Sequence, residues 1–353
     1  MKSIERVELA MSHQQADRVP LFYRDVPDVE ARLLNDLALA DREALLQYFE
    51  IDFRWVEPLY KPGLELSNGH QRDIWGVEYK YTKFNEDNGY WGPVSNPLKD
   101  LQQIEDLDKW PWPTLEQFDF SSLRADCQKH QDYAIMTAPG YASPGLLQPV
   151  IQPLIGDERS LLDLIVDPEF IAAIIEKAGS FLTEFIDTML EASGEQITFF
   201  RMGDDFGTQQ NLLMGPRTWR KAFMPIYQEI FQIAKSHNAY CYQHSCGAVR
   251  GLIPTFIEAG IDVLDPIQVA ASGMVPRELK EEFGDVLCFS GGIDEQELLP
   301  NGSVQDVKDA VFRLCDDMAG NGGFFLGPTH NFQVDIPTKN IVAMYEAGRE
   351  WVY

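Results

Sequence analysis

The sequence predicts a single α/β domain over residues 1–353, a (β/α)8 TIM barrel with a β-hairpin excursion after its second strand. Three observations lead there. Eight short runs rich in β-branched or aromatic residues recur along the chain, and stretches of helical periodicity separate nearly all of them. Alternating strands and helices make parallel βα units, and eight is the number that closes a barrel. No strand-like run leads into a Gly-rich phosphate turn of the GxGxxG type, which counts against an open, doubly wound sheet.

The strand-like runs are 19–24, 53–58, 134–138, 197–202, 239–244, 262–267, 286–290 and 324–328. Helical stretches at 28–40 and 42–49 follow the first, and 161–192 offers about two helices before the fourth. Stretches 217–235 and 249–259 flank the fifth, and 276–283, 304–318 and 339–351 complete the set. Residues 63–112 break the alternation. Within them 74–84 and 90–94 read as an aromatic strand pair around the turn Asn85-Glu86-Asp87-Asn88-Gly89. An insertion after a barrel strand lies on the catalytic face, so this hairpin is placed over the mouth, as a cover or as a structural flap.

Hydrophobic residues make up 45% of the chain and charged residues 24%, the balance of a soluble globular protein. No apolar run approaches the roughly 20 residues that span a bilayer. The start, Met1-Lys2-Ser3-Ile4-Glu5-Arg6, lacks the apolar stretch of a signal peptide, so no membrane partner and a cytoplasmic location are expected. With 55 acidic against 29 basic residues the formal net charge is −26, a field that repels phosphate backbones and argues against nucleic acid. Five cysteines form no disulfide framework, and most are expected to be reduced core residues.

Catalytic residues of a barrel cluster at the C-terminal ends of its strands. The fifth run ends in His244-Ser245-Cys246-Gly247, where a nitrogen and a thiolate two residues apart can share a zinc ion. The bland alternative is a core cysteine beside a hydrogen-bonded histidine. His330 ends the eighth run and can reach across the mouth, as third ligand of a site with one open position or as a partner for a substrate carboxylate. Arg201, Asp204 and Asp205 end the fourth run, a polar group that is costly to bury without a function; either aspartate can orient a metal-bound histidine or act as acid/base. Arg24 ends the first run and is suited to a substrate anion. Glu57 ends the second and is a further possible ligand, and Tyr141 follows the third, over the pocket. Gly291 and Gly292 end the seventh and permit close approach of a cofactor or ligand to the backbone.

These motifs resemble the uroporphyrinogen decarboxylase superfamily along essentially the whole chain. Residues 5–7 through Ala16-Asp17-Arg18-Val19-Pro20 are similar to the family's N-terminal helix and first strand. The HxCG at 244–247 is similar to the zinc motif of its methylcobamide:coenzyme M methyltransferase branch, and residues 324–330 with Pro337 and Asn340 resemble the last-strand motif of both branches. The decarboxylases carry an Arg-Gln-Ala-Gly-Arg-like signature after the first strand; here Tyr23-Arg24-Asp25-Val26-Pro27 stands there and only Arg24 matches. The methyltransferases usually place a cysteine where His330 stands. The resemblance implies a zinc-dependent methyltransferase that moves a methyl group from a methylated corrinoid to a thiol, with zinc on His244, Cys246 and His330 or Glu57. Its expected partners are a small-molecule substrate and a corrinoid protein, and its oligomeric state is open, a homodimer included. The alternatives are a cofactor-free decarboxylase of a porphyrinogen or other polycarboxylate, and a non-catalytic tetrapyrrole carrier.

Overall fold

In the computed structural model, which describes residues 1–83 and 89–353, seven strands form one curled parallel sheet. They are β1 (Phe53–Val56), β2 (Ala134–Thr137), β3 (Phe199–Gly203), β4 (Tyr240–His244), β5 (Val263–Asp265), β6 (Cys288–Ile293) and β7 (Phe324–Pro328), paired in sequence order. All are almost wholly buried, which is why they read as continuous apolar runs rather than alternating ones. The architecture fits a TIM-like barrel.

The predicted first strand, 19–24, forms no regular strand and makes a single parallel bridge, Leu21 to Leu326. Pro20 has no N–H to give a ladder. Instead Phe22 N donates to Leu326 O, Leu326 N donates to Pro20 O, and on the other side Asp52 N donates to Leu21 O, so the segment spans the gap between β7 and the start of β1. A buried ion cluster fixes it there. The fully buried Asp52 accepts from Arg6 at 2.6 Å, from Arg18 at 2.8 Å and from the Leu21 amide at 2.7 Å.

Helices cover the outside of the sheet. The predicted pair over 161–192 is Asp157–Val166 and Pro168–Ser193, divided at Pro168, where Asp167 caps the second helix by accepting from Phe170 N at 3.3 Å. That helix ends at Gly194 in the left-handed conformation. It buries Phe170, Ile174, Phe181, Phe185 and Met189, each contributing roughly 1.5–3 kcal/mol by its removal from water.

The lower interior of the sheet is filled by rings. Phe53 meets Phe22, Phe199 and Phe325 at centroid distances of 5.3, 5.8 and 5.2 Å. This apolar plug leaves the C-terminal strand ends as the polar end of the interior.

Within the excursion, Gln71–Arg72, Glu78–Lys83 and Gly89–Pro93 form a three-stranded antiparallel sheet. The turn expected at Asn85–Gly89 falls largely on residues 84–88, outside the described residues. Cys127, Cys241, Cys288 and Cys315 are buried and free, and Cys246 is half-buried. No helix among the described residues is long and apolar enough to cross a membrane.

Candidate metal centre and cavity

His244 is the last residue of β4, and its backbone register partners are Gly203 on β3 and Asp265 on β5. Its imidazole is gripped from behind: Nδ1 lies 2.6 Å from Asp265 Oδ2. With the proton on Nδ1 donated to Asp265, Nε2 is free and faces Cys246 Sγ at 3.5 Å. Two ligands at zinc's N and S bond lengths on a tetrahedral centre stand about 3.6 Å apart, so this pair is already spaced for a shared ion. His330 completes the set: one nitrogen of each imidazole and Cys246 Sγ all lie within 4.8 Å of one another. The donor set therefore fits a zinc ion with one position left open.

Gly247 makes the turn behind Cys246. Its φ is +92°, and a Cβ there would lie 2.5 Å from the Gly207 carbonyl carbon, so no other residue fits. Gly247 N donates to Gln268 at 2.6 Å, and Cys246 N donates to Asp205 at 2.8 Å.

The electrostatics prepare the ligands unequally. Burial, then the Arg201 cation, hold His244 below its ordinary range, against the pull of Asp265. Burial, with Arg24 and His244 adding to it, does the same for His330. Both rings are thus neutral at pH 7 and free to act as ligands. Burial and then Asp205 push the Cys246 thiol well above its usual range, so without a cation it keeps its proton. Burial alone would raise Asp265, but Arg24, His244 and Arg201 hold it far below the usual carboxylate range.

Several expected site residues stand elsewhere than the strand-end reading placed them. Arg24 is no free anion receptor: it donates to Asp265 at 2.8 Å and to Thr329 O at 2.8 Å. Asp204 is turned away from the cluster, accepting from the amides of Leu146, Leu147 and Gln148 and from Tyr227 Oη, all at 2.8 Å. It pins the helical turn Leu147–Ile151 rather than a ligand. Asp205 does stand at the cluster, 3.6 Å from His244 Nε2. The space beside Gly291 is taken by Pro266 and Pro328, and that beside Gly292 by Leu314, so these glycines admit protein packing rather than a cofactor. Glu57 is exposed at the rim of a cavity beside Tyr141, whose hydroxyl donates to Pro58 O at 2.8 Å.

The strand-end reading leaves out two carboxylates. Asp265 closes β5 and was legible by the same rule. Glu295 lies just past the Gly-Gly end of β6, 4.0 Å from His330 Nδ1. Its Oε2 is buried with no hydrogen-bond partner among the described residues, and burial pushes the group up to about 8.

Two cavities meet at the cluster. One of about 390 Å³ is lined by Cys246, Gln268, Glu295 and His330 among others. The other, about 540 Å³, is lined by His244, Arg201, Glu57 and Tyr141 together with Ile74, Trp75 and Tyr79 from the excursion.

The sequence model of the uroporphyrinogen decarboxylase (URO-D) family matches residues 152–351, more than half of the chain. The chain belongs to the uroporphyrinogen decarboxylase family. The matched part contains every residue of the metal cluster. In fold the chain is similar to a methyltransferase from Methanosarcina mazei, with a TM-score of 0.67 and 15% identity over 99% of each chain. Weaker likenesses in fold are to Dispersin B, TM-score 0.43 at 9% identity over 95% of this chain and 99% of that one, and to D-psicose 3-epimerase from Clostridium cellulolyticum, TM-score 0.36 at 10% identity over 70% and 84%. No curated protein matches the sequence.

Proposed function

We propose that this member of the uroporphyrinogen decarboxylase family is a zinc-dependent methyltransferase that moves a methyl group from a methylated corrinoid to a thiol. The observation that carries the reading is the convergence of His244, Cys246 and His330 ligand atoms within 4.8 Å, with Asp265 fixing the tautomer of His244. The full-length fold likeness to a protein described as a methyltransferase supports it. Zinc bound there would hold a coordinated thiol as its thiolate at neutral pH. The chain's own residues do the rest. Asp265 keeps Nδ1 protonated and Nε2 aimed at the ion. Asp205, 3.6 Å from His244 Nε2, would take the thiol's proton, whereas Glu295, pushed up to about 8 by burial, already holds one at neutral pH. In the net reaction the thiolate sulfur forms the new S–CH3 bond, the Co–C bond breaks with its electron pair left on cobalt, and one proton is released.

A cofactor-free decarboxylation of a polycarboxylate is the competing reading. Among the described residues Arg201 is the one cation lining the larger cavity, against the carboxylates Glu57 and Asp73, a poor receptor for many negative charges. The test is a zinc titration of the reduced protein, wild type and Cys246→Ser, with methylcobalamin and a thiol then supplied to the loaded enzyme. One tightly held zinc per wild-type chain, loss of it in Cys246→Ser and zinc-dependent demethylation are expected. Equally weak zinc binding by the two proteins overturns the reading and brings decarboxylation forward.

A further inference from the structure

Arg201 is a buried cation whose side chain has no protein partner among the described residues. The residue is only 7% exposed, yet its guanidinium makes no ion pair and no hydrogen bond among the described residues. The neighbouring buried cation behaves differently, since Arg24 has taken up Asp265 and a carbonyl. A buried charge without a partner is costly, and such a group persists where a ligand supplies the partner.

The backbone is built to deliver it to the cavity. Arg201 and Gly203 lie two apart on β3 and so face the same side, the side of Tyr242 and His244. Gly203 therefore stands directly above Arg201, and a Cβ there would come within 3.2 Å of the guanidinium Nη1. The missing side chain opens the way to the 540 Å³ cavity that Arg201 lines. The remaining wall is mostly apolar and aromatic: Leu64, Ile74, Trp75, Tyr79, Pro139 and Tyr141. Glu57 and Asp73 line the same space and oppose any second negative charge.

We propose that this cavity binds a substrate carrying one carboxylate on an apolar, ring-sized body, with the carboxylate taken by Arg201 and the body lying against the wall that the excursion supplies. A guanidinium offers a planar fork that matches a carboxylate, and the volume suits a small molecule. The inference deepens the reading of this site as catalytic and rests on it for what happens at the metal cluster; the binding itself does not depend on metal.

The test is benzoate binding by calorimetry, with benzyl alcohol as the neutral counterpart, on wild type, Arg201→Met, Gly203→Ala and Cys246→Ser, each with and without zinc. Wild type should prefer benzoate. Arg201→Met should bind it about 10–100-fold more weakly, the loss expected for charge-assisted hydrogen bonds, while keeping its zinc. Gly203→Ala, which adds one methyl group and keeps the charge, should weaken benzoate in the same direction, and it serves if Arg201→Met does not fold. Cys246→Ser should lose zinc and keep benzoate. Equal binding of benzoate and benzyl alcohol by wild type, or benzoate binding indifferent to both the Met and the Ala substitution, overturns the proposal. Intact benzoate binding in a wild type that holds no zinc leaves this proposal standing and sinks the methyltransferase reading instead.

Discussion

Nδ1 of His244 and Oδ2 of Asp265 are 2.6 Å apart, across the register pair that ties β4 to β5. The aspartate is itself held by Arg24 at 2.8 Å, so the imidazole is oriented by a chain of fixed groups rather than by solvent. Replacing Asp265 by Asn keeps the shape and removes the charge. The expected result is a zinc affinity about 10–100-fold weaker, the usual cost of losing such an outer partner, in a protein that still folds. Unchanged zinc affinity in Asp265→Asn would show that the pairing does not serve a metal.

Zinc binding should be pH-dependent in a stated direction. His244 and His330 are neutral at pH 7, but the Cys246 thiol is held protonated by burial and by Asp205, so the ion must displace one proton. Affinity should therefore rise about tenfold per pH unit between about pH 6 and pH 8, with one proton released per zinc. Titrations in buffers of different ionisation enthalpy measure that proton directly; a flat profile removes Cys246 from the ligand set.

Glu295 should leave its mark on the stability of the metal-free protein. The unfolded chain gives up this proton near its ordinary value of 4.5, and the folded one near 8. Between those values the folded state binds the extra proton, so stability falls as pH rises, by up to about 1.4 kcal/mol per pH unit. Glu295→Gln should show a flatter denaturation profile over that window, and the gap between the two proteins should narrow when zinc is added. Parallel profiles for the two metal-free proteins would mean that Glu295 ionises freely.

The ion cluster beneath the first segment carries a plain stability prediction. Asp52→Ala leaves Arg6 and Arg18, at 7% and 9% exposure, without their shared counter-charge. Chemical denaturation should record a loss of about 3–5 kcal/mol. A loss below about 1 kcal/mol, the worth of a surface pair, would show that the cluster relaxes into water.

Much of this arrangement was legible in the chain. The strand runs were readable because buried parallel strands are continuously apolar, and His244 and Cys246 because their spacing is local. His330 followed from the rule that all strand ends share one mouth. What could not be read was set by register and by conformation. That Asp265 rather than Asp204 backs His244 depends on which residues stand opposite each other on neighbouring strands. Arg24 was misplaced because its partner Asp265 lies 241 residues away in sequence. The segment 19–24 looks like a strand in composition, but Pro20 and the side chain of Asp52 replace the ladder that composition alone predicts.

The larger cavity draws its wall from several stretches of the chain. Arg201 and His244 lie in the part that the family model covers, whereas Ile74, Trp75 and Tyr79 lie before it, in the excursion. The apolar wall supplied by the excursion is thereby encoded apart from the strands that carry Arg201 and His244. Mutations in the excursion can exchange one wall for another and alter what is admitted without disturbing the strand register that sets the ligand geometry. A laboratory seeking to change what the cavity admits has a defined stretch to randomise.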